Sequence, residues 1–166
     1  MSNFRAVKRV TAVVEIFARV RRTMPASLVM VGNGPDAGAA ARVARQRGVA
    51  DDVHFLGEQE ALVPLLSAAD VFLLPSTQES FGLAALEAMT CGVPEVVEHG
   101  VTGFLHPPDD LDGMTQSVRE LLTDDELRRR VGDAAARVAH GRFCEEMIVP
   151  RYEAYYAELL ARPGRS

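Results

Sequence analysis

Apolar positions in the first half of the chain alternate between two spacings. Val10, Val13, Val14, Phe17 and Val20 recur at intervals of three and four between Val7 and Arg22. This predicts an amphipathic helix with a basic outer face, ended by Met24-Pro25. Ser27 to Val31 is a short apolar strand, and Gly32-Asn33-Gly34-Pro35 follows as a turn. Turn chemistry accounts for that Gly-x-Gly, and a phosphate contact there stays open. A helix rich in Ala and Arg is expected from Ala37 to Arg47, closed by Gly48. Val53 to Leu56 reads as the next strand, ended by Gly57, and Glu60 to Ala69 as a short helix with Pro64 in its first turn. Val71 to Leu74 reads as a buried parallel strand. Strand and helix alternate at the rhythm of a parallel α/β sheet.

The next stretch, Pro75 to Pro94, is a strand-loop-helix joint, where α/β proteins bind ligands. Glu79 and Glu87 stand eight positions apart; on one continuous helix they would lie roughly 80° apart. With Glu79 in the loop and Glu87 one to two turns into the helix, both carboxylates can face one ligand. The free backbone N–H groups of Ser80, Phe81, Gly82 and Leu83 would point at an anionic group. A molecule carrying hydroxyls and phosphate fits that joint.

After Pro94 the pattern breaks. Glu95 to Gly100 is too polar and short for a core strand, so the next strand is expected at Gly103 to His106, before Pro107-Pro108. Asp109 or Asp110 is placed to cap a helix to Leu122, and Thr123-x-x-Glu126 has the form of a capping box opening another to about His140. From Phe143 to Leu160, Met147, Ile148, Tyr152, Tyr155, Tyr156 and Leu159 fall at helical intervals around Pro150.

Composition narrows the picture. The 166 residues are 48% hydrophobic, enough for one domain with a core. A formal charge of −5 argues against a nucleic-acid surface, although Arg5, Lys8 and Arg9 form a local basic cluster suited to a compact anion. Cys91 and Cys144 lack metal-type spacing and fit a reducing cytosol. His54 alternates with apolar neighbours and reads as structural. No signal segment or membrane span is legible, which predicts a cytoplasmic protein.

Glu79-Ser80-Phe81-Gly82-Leu83-Ala84-Ala85-Leu86-Glu87-Ala88-Met89 resembles the E-x7-E motif of the retaining family 4 glycosyltransferases. Val31-Gly32-Asn33-Gly34-Pro35, Val53-His54-Phe55-Leu56-Gly57, Ala69-Asp70-Val71 and Glu98-His99-Gly100-Val101-Thr102-Gly103-Phe104-Leu105 are similar to that family in order and spacing. The resemblance implies a Rossmann-like three-layer parallel sheet, the C-terminal donor-binding half of a GT-B fold. The opening, Ser2 to Arg9, is most similar to the subgroup that transfers N-acetylglucosamine from its UDP form to L-malate. Aligned on Lys8, Asn3 stands where most members have an arginine, and Arg5 follows two places later.

By that resemblance Arg5 and Lys8 contact the donor diphosphate, Glu79 accepts hydrogen bonds from donor-sugar hydroxyls, and Glu87 binds the ribose. Ser80, Phe81, Gly82 and Leu83 complete the donor site, Phe81 to Leu83 through backbone amides, and Glu79, Arg5 and Lys8 carry the catalytic roles. A paired-carboxylate glycosidase is disfavoured because nothing holds either Glu protonated. Asp51-Asp52 and Asp109-Asp110 are not the Asp-x-Asp of metal-dependent transferases, so no metal or other cofactor is expected. Pro94 joins Glu95 where members of the family carry a further strand and loop, so the sheet is expected to lack one or two strands. Residues 1–142 are expected to form the nucleotide-sugar-binding domain and residues 143–166 a helical tail that crosses to an N-terminal acceptor domain. The expected partners are a UDP-sugar and either a separate acceptor-domain chain or a second copy docked through the tail. The isolated chain is expected to be inactive, since transfer needs donor and acceptor held together; the alternative is a non-catalytic remnant or interaction module.

Overall fold

The computed structural model describes residues 2–77 and 97–143. The elements are β1 (Ser2–Asn3), α1 (Val10–Arg21), β2 (Leu28–Asn33), α2 (Ala37–Gln46), β3 (Val53–Gly57), α3 (Val63–Ser67), α4 (Leu111–Thr123) and α5 (Asp125–Phe143). The three strands form a parallel sheet in the order β1-β2-β3. Ser2 faces Gly32 and Asn3 faces Asn33 across one edge of β2, while Leu28, Val29 and Met30 face Val53, His54 and Phe55 across the other. Parallel neighbours need crossovers, and α1 and α2 supply them.

The expected spacing of α1 is observed: Val10, Val13, Val14, Phe17 and Val20 are all buried, with Ala12, Ile16 and Ala18 beside them. Val10, Val13, Val14, Phe17 and Ala18 pack with Phe4, Met30, Ala40, Ala44, Val49 and Val53 into one core cluster. Burying a Val or Phe side chain fully contributes about 1.5–3 kcal/mol, so this cluster is the main source of stability in the first third of the chain. Small residues at Ala40 and Ala44 let α2 approach α1 closely, and Glu15 clamps the pair from outside by accepting two hydrogen bonds from Arg47 Nε and one from Nη2. That hydrogen bonding, with the carboxylate's charge, holds the Arg47 guanidinium above its ordinary pKa. Gly48, at φ +70°, turns the chain out of α2 in the left-handed region that other residues avoid.

The remaining elements depart from the sequence pattern in three places. Val71 to Leu74, expected as a buried strand, forms no ladder with any described strand, and Phe72 is 45% exposed. A strand exists only through its partners, and none lies beside this run among the described residues. Gly103 to His106 is likewise not a strand: only an isolated bridge joins His99 to Gly103. Local polar bonds take its place, with Gly100 N–H donating to the Gly103 carbonyl and Leu105 N–H to His99 Nδ1. The capping box is displaced by one residue. Asp124 Oδ1 accepts from Leu127 N–H at 2.8 Å and caps α5, while the Thr123 hydroxyl turns back to the Arg119 carbonyl and ends α4. At the start of α4, Asp110 is the cap, accepting from Gly113 N–H at 2.8 Å. The tail from residue 144 onward lies outside the described residues.

Candidate functional site

The loops that follow β1 and β2 meet at the carboxyl edge of the sheet, where open α/β sheets hold their ligands. β1 runs into Phe4, whose N–H donates to the Asn33 carbonyl at 2.8 Å and whose carbonyl accepts from Asp36 N–H at 3.0 Å. These bonds tie the loop after β1 to the Gly32–Pro35 turn after β2. Arg5 precedes a single 3-10 turn, Ala6–Lys8, closed by Lys8 N–H donating to the Arg5 carbonyl at 2.8 Å. That turn brings Arg5 and Lys8 to adjacent positions on one loop, with Arg5 exposed and Lys8 half-buried.

Thr77 N–H donates to the Val7 carbonyl at 3.0 Å, across 70 positions of sequence. The chain entering the Glu79–Glu87 motif therefore leaves from the turn that carries Arg5 and Lys8. Of the residues assigned to the donor site from sequence, Arg5 and Lys8 are brought beside this entrance. Glu79, Ser80, Phe81, Gly82, Leu83 and Glu87 lie outside the described residues.

Arg9, the third member of the basic cluster, is committed elsewhere. At φ +49° it links the 3-10 turn to α1, and its side chain donates to the Pro108 carbonyl and, at 3.0 Å, to Asp109 Oδ1. It staples the loop before α4 to the site's edge. Asp52 pairs with Arg21 at 2.8 Å, so this carboxylate and those of Asp109 and Asp110 have structural contacts. His54 sits exposed in β3. Ser76 was not distinguished by the sequence reasoning: its Oγ is buried with no hydrogen-bond partner among the described residues. Its position after an apolar run, at the head of the joint, was the available signal.

Asp110, His106 and Ser117 line up in the manner of a nucleophile triad, with Ser117 Oγ 2.9 Å from His106 Nε2 and Asp110 Oδ2 3.5 Å from Nδ1. Ser117 is only 8% exposed and Asp110 spends its other oxygen on the α4 cap, so the group works as a staple between loop and helix. Among the described residues no helix is long and apolar enough to cross a membrane.

A parallel sheet whose carboxyl-edge loops meet beside a basic turn has the layout of a Rossmann-like α/β domain. The chain belongs to the glycosyl transferases group 1 family, whose model matches residues 1–138. It is 40% identical over 170 aligned residues to the N-acetyl-alpha-D-glucosaminyl L-malate synthase of Bacillus anthracis, covering 96% of this chain and 45% of that protein. Anabaena HepE, solved in complex with UDP, is similar in fold at a TM-score of 0.85 and 23% identity, covering 95% of this chain and 47% of HepE. The C-terminal domain of the group 1 protein LpcC from Francisella tularensis matches at a TM-score of 0.78 and 21% identity, covering 87% of this chain and 84% of that domain. The chain thus spans about half the length of the full-length relatives named here, and most of the length of an isolated C-terminal domain.

Proposed function

We propose that the chain is the donor-binding domain of a retaining glycosyltransferase that uses a UDP-sugar. The observation that carries this reading is the Thr77-to-Val7 hydrogen bond, which joins the Arg5–Lys8 turn to the entrance of the Glu79–Glu87 motif. Two segments that the family resemblance assigns to one ligand thereby start from one place. Arg5, a planar fork of donors, and Lys8, a compact charge, hold the diphosphate and stabilise the negative charge that grows on the leaving group. Backbone N–H groups of Phe81 to Leu83 add to that stabilisation, Ser80 lines the same site, Glu79 accepts from donor-sugar hydroxyls and Glu87 from the ribose. The name and 40% identity of the Bacillus anthracis relative favour N-acetylglucosamine as the sugar. Residues 1–142 form the donor domain and residues 143–166 the tail that reaches an acceptor domain. With the acceptor held elsewhere, the isolated chain binds donor and transfers nothing.

Calorimetric titration with UDP tests this reading. Saturable binding is expected, weakened about tenfold or more in Glu87→Ala, a loss of about 1.4 kcal/mol. No heat from a folded sample at millimolar UDP, or unchanged affinity in Glu87→Ala, overturns it.

A further inference from the structure

Among the described residues other than glycine, Arg9 alone has a positive φ, at +49°. The left-handed region crowds an L residue's Cβ against the carbonyl that follows, so the surroundings must hold Arg9 there; glycine would adopt the same backbone without that penalty. A strained position of this kind points to a task for the side chain. The backbone of Arg9 joins two elements. Its N–H donates to the Ala6 carbonyl at 3.1 Å and closes the 3-10 turn, while its carbonyl accepts from Ala12 N–H at 2.8 Å and opens α1. The angle between the turn that carries Arg5 and Lys8 and the buried helix is set at this one residue.

The Arg9 guanidinium, with its side chain only 21% exposed, donates from Nη1 to the Pro108 carbonyl and from Nη2 to Asp109 Oδ1 at 3.0 Å. The loop it reaches is anchored in turn. Asp110 N–H donates to the Pro107 carbonyl at 3.0 Å, and the Asp110 carboxylate caps α4. α4 packs along α1, where Asp112 pairs with Arg19. A planar fork that meets a carbonyl and a carboxylate together is restrained in direction as well as in position, which a lysine ammonium would not be. The tether therefore runs from an anchored corner between α1 and α4 to the left-handed link. Val7, inside the same turn, accepts from Thr77 N–H at 3.0 Å, so whatever orients the turn also orients the entrance to the Glu79–Glu87 motif.

We propose that Arg9 is a positioning residue for the donor site: its tether to Pro108 and Asp109 fixes the left-handed link, and through it the direction in which Arg5 and Lys8 meet a diphosphate. Arg9 acts through the turn and not on the ligand, and the role rests on the donor reading given above. Arg9→Gly separates backbone from side chain, because it removes the tether and keeps the conformation. Asp109→Ala, at a side chain 97% exposed, removes one arm of the tether far from the core. Amide chemical shifts of the full chain are followed in the parent and both variants, free and during UDP titration. In free Arg9→Gly the amides of residues 5–8 and of Thr77 are expected to shift while those of β2 and β3 stay. UDP affinity is expected to fall at least about fivefold in Arg9→Gly and about twofold in Asp109→Ala. UDP binding equal in the parent and both variants overturns the positioning role and leaves the donor reading standing. So do Arg9→Gly shifts spread evenly through the core, which would mark a purely structural residue. A parent that binds no UDP overturns the donor reading and this role with it. Should Arg9→Gly fail to fold, Asp109→Ala decides: unchanged affinity there overturns the proposal.

Discussion

The unit from Phe4 to Val53 and the described residues 63–77 and 97–105 are both rich in apolar side chains, yet only the first buries most of them. In the first, residues of α1 and α2 pack with Met30 and Val53 into one buried cluster. In the second, Val63 is 74% exposed and Phe72, Val101 and Leu105 also face outward. Both regions carry residues of the same type, so composition does not separate them. The difference is the neighbour: α1 packs against the sheet residue Met30 and has α2 and α4 beside it, whereas Val71–Leu74 lines a cavity of about 450 Å³. Hydrophobic pattern states which residues gain from burial, and the adjacent layer decides whether they get it.

Core truncation breaks this comparison most strongly. Ile16→Ala, at a fully buried position, is expected to cost about 2–5 kcal/mol in urea unfolding, whereas Val63→Ala in α3 should stay within about 0.5 kcal/mol of the parent. Equal losses at both sites would mean that the second region is as tightly packed as the first. Removing the α4 cap is the next largest effect: Asp110→Ala should lower stability by about 1 kcal/mol, because Gly113 N–H loses its acceptor. The smallest test is a pair of glycines. At Gly132 in α5 an added Cβ meets nothing, so Gly132→Ala should stabilise by about 0.5–1 kcal/mol. At Gly113 the same Cβ would collide with the Asp110 carboxylate and crowd His106 Nδ1, and Gly113→Ala should destabilise instead. Thermal melts of the two variants moving in the same direction would remove that explanation.

What was legible in sequence follows the same division. The α1 face could be read because its period is set by residues that all meet one neighbour. Gly48 and Asp110 mark helix ends through local chemistry, and local chemistry is written in adjacent residues. The α5 cap was misread by one position because Thr123 and Asp124 both have capping side chains, and the end of α4 decides between them. The runs Val71–Leu74 and Gly103–His106 have strand composition but no ladder, and pairing is a property of the partner. For the candidate site, the family resemblance supplied Arg5 and Lys8. Neither segment by itself records that Val7 and Thr77 meet, since that contact is made by the fold.

The central claim is that the Arg5–Lys8 turn and the Glu79–Glu87 motif form one donor site. It is tested most directly by mapping amide chemical-shift changes on the isotopically labelled full chain during a UDP titration. The expected result is one saturable set of shifts shared by residues 5–8 and 80–83, moved together in both segments to at least about tenfold higher UDP by Glu87→Ala while the rest of the spectrum stays folded. Shifts confined to one segment, or saturating at different UDP concentrations in the two, would contradict it.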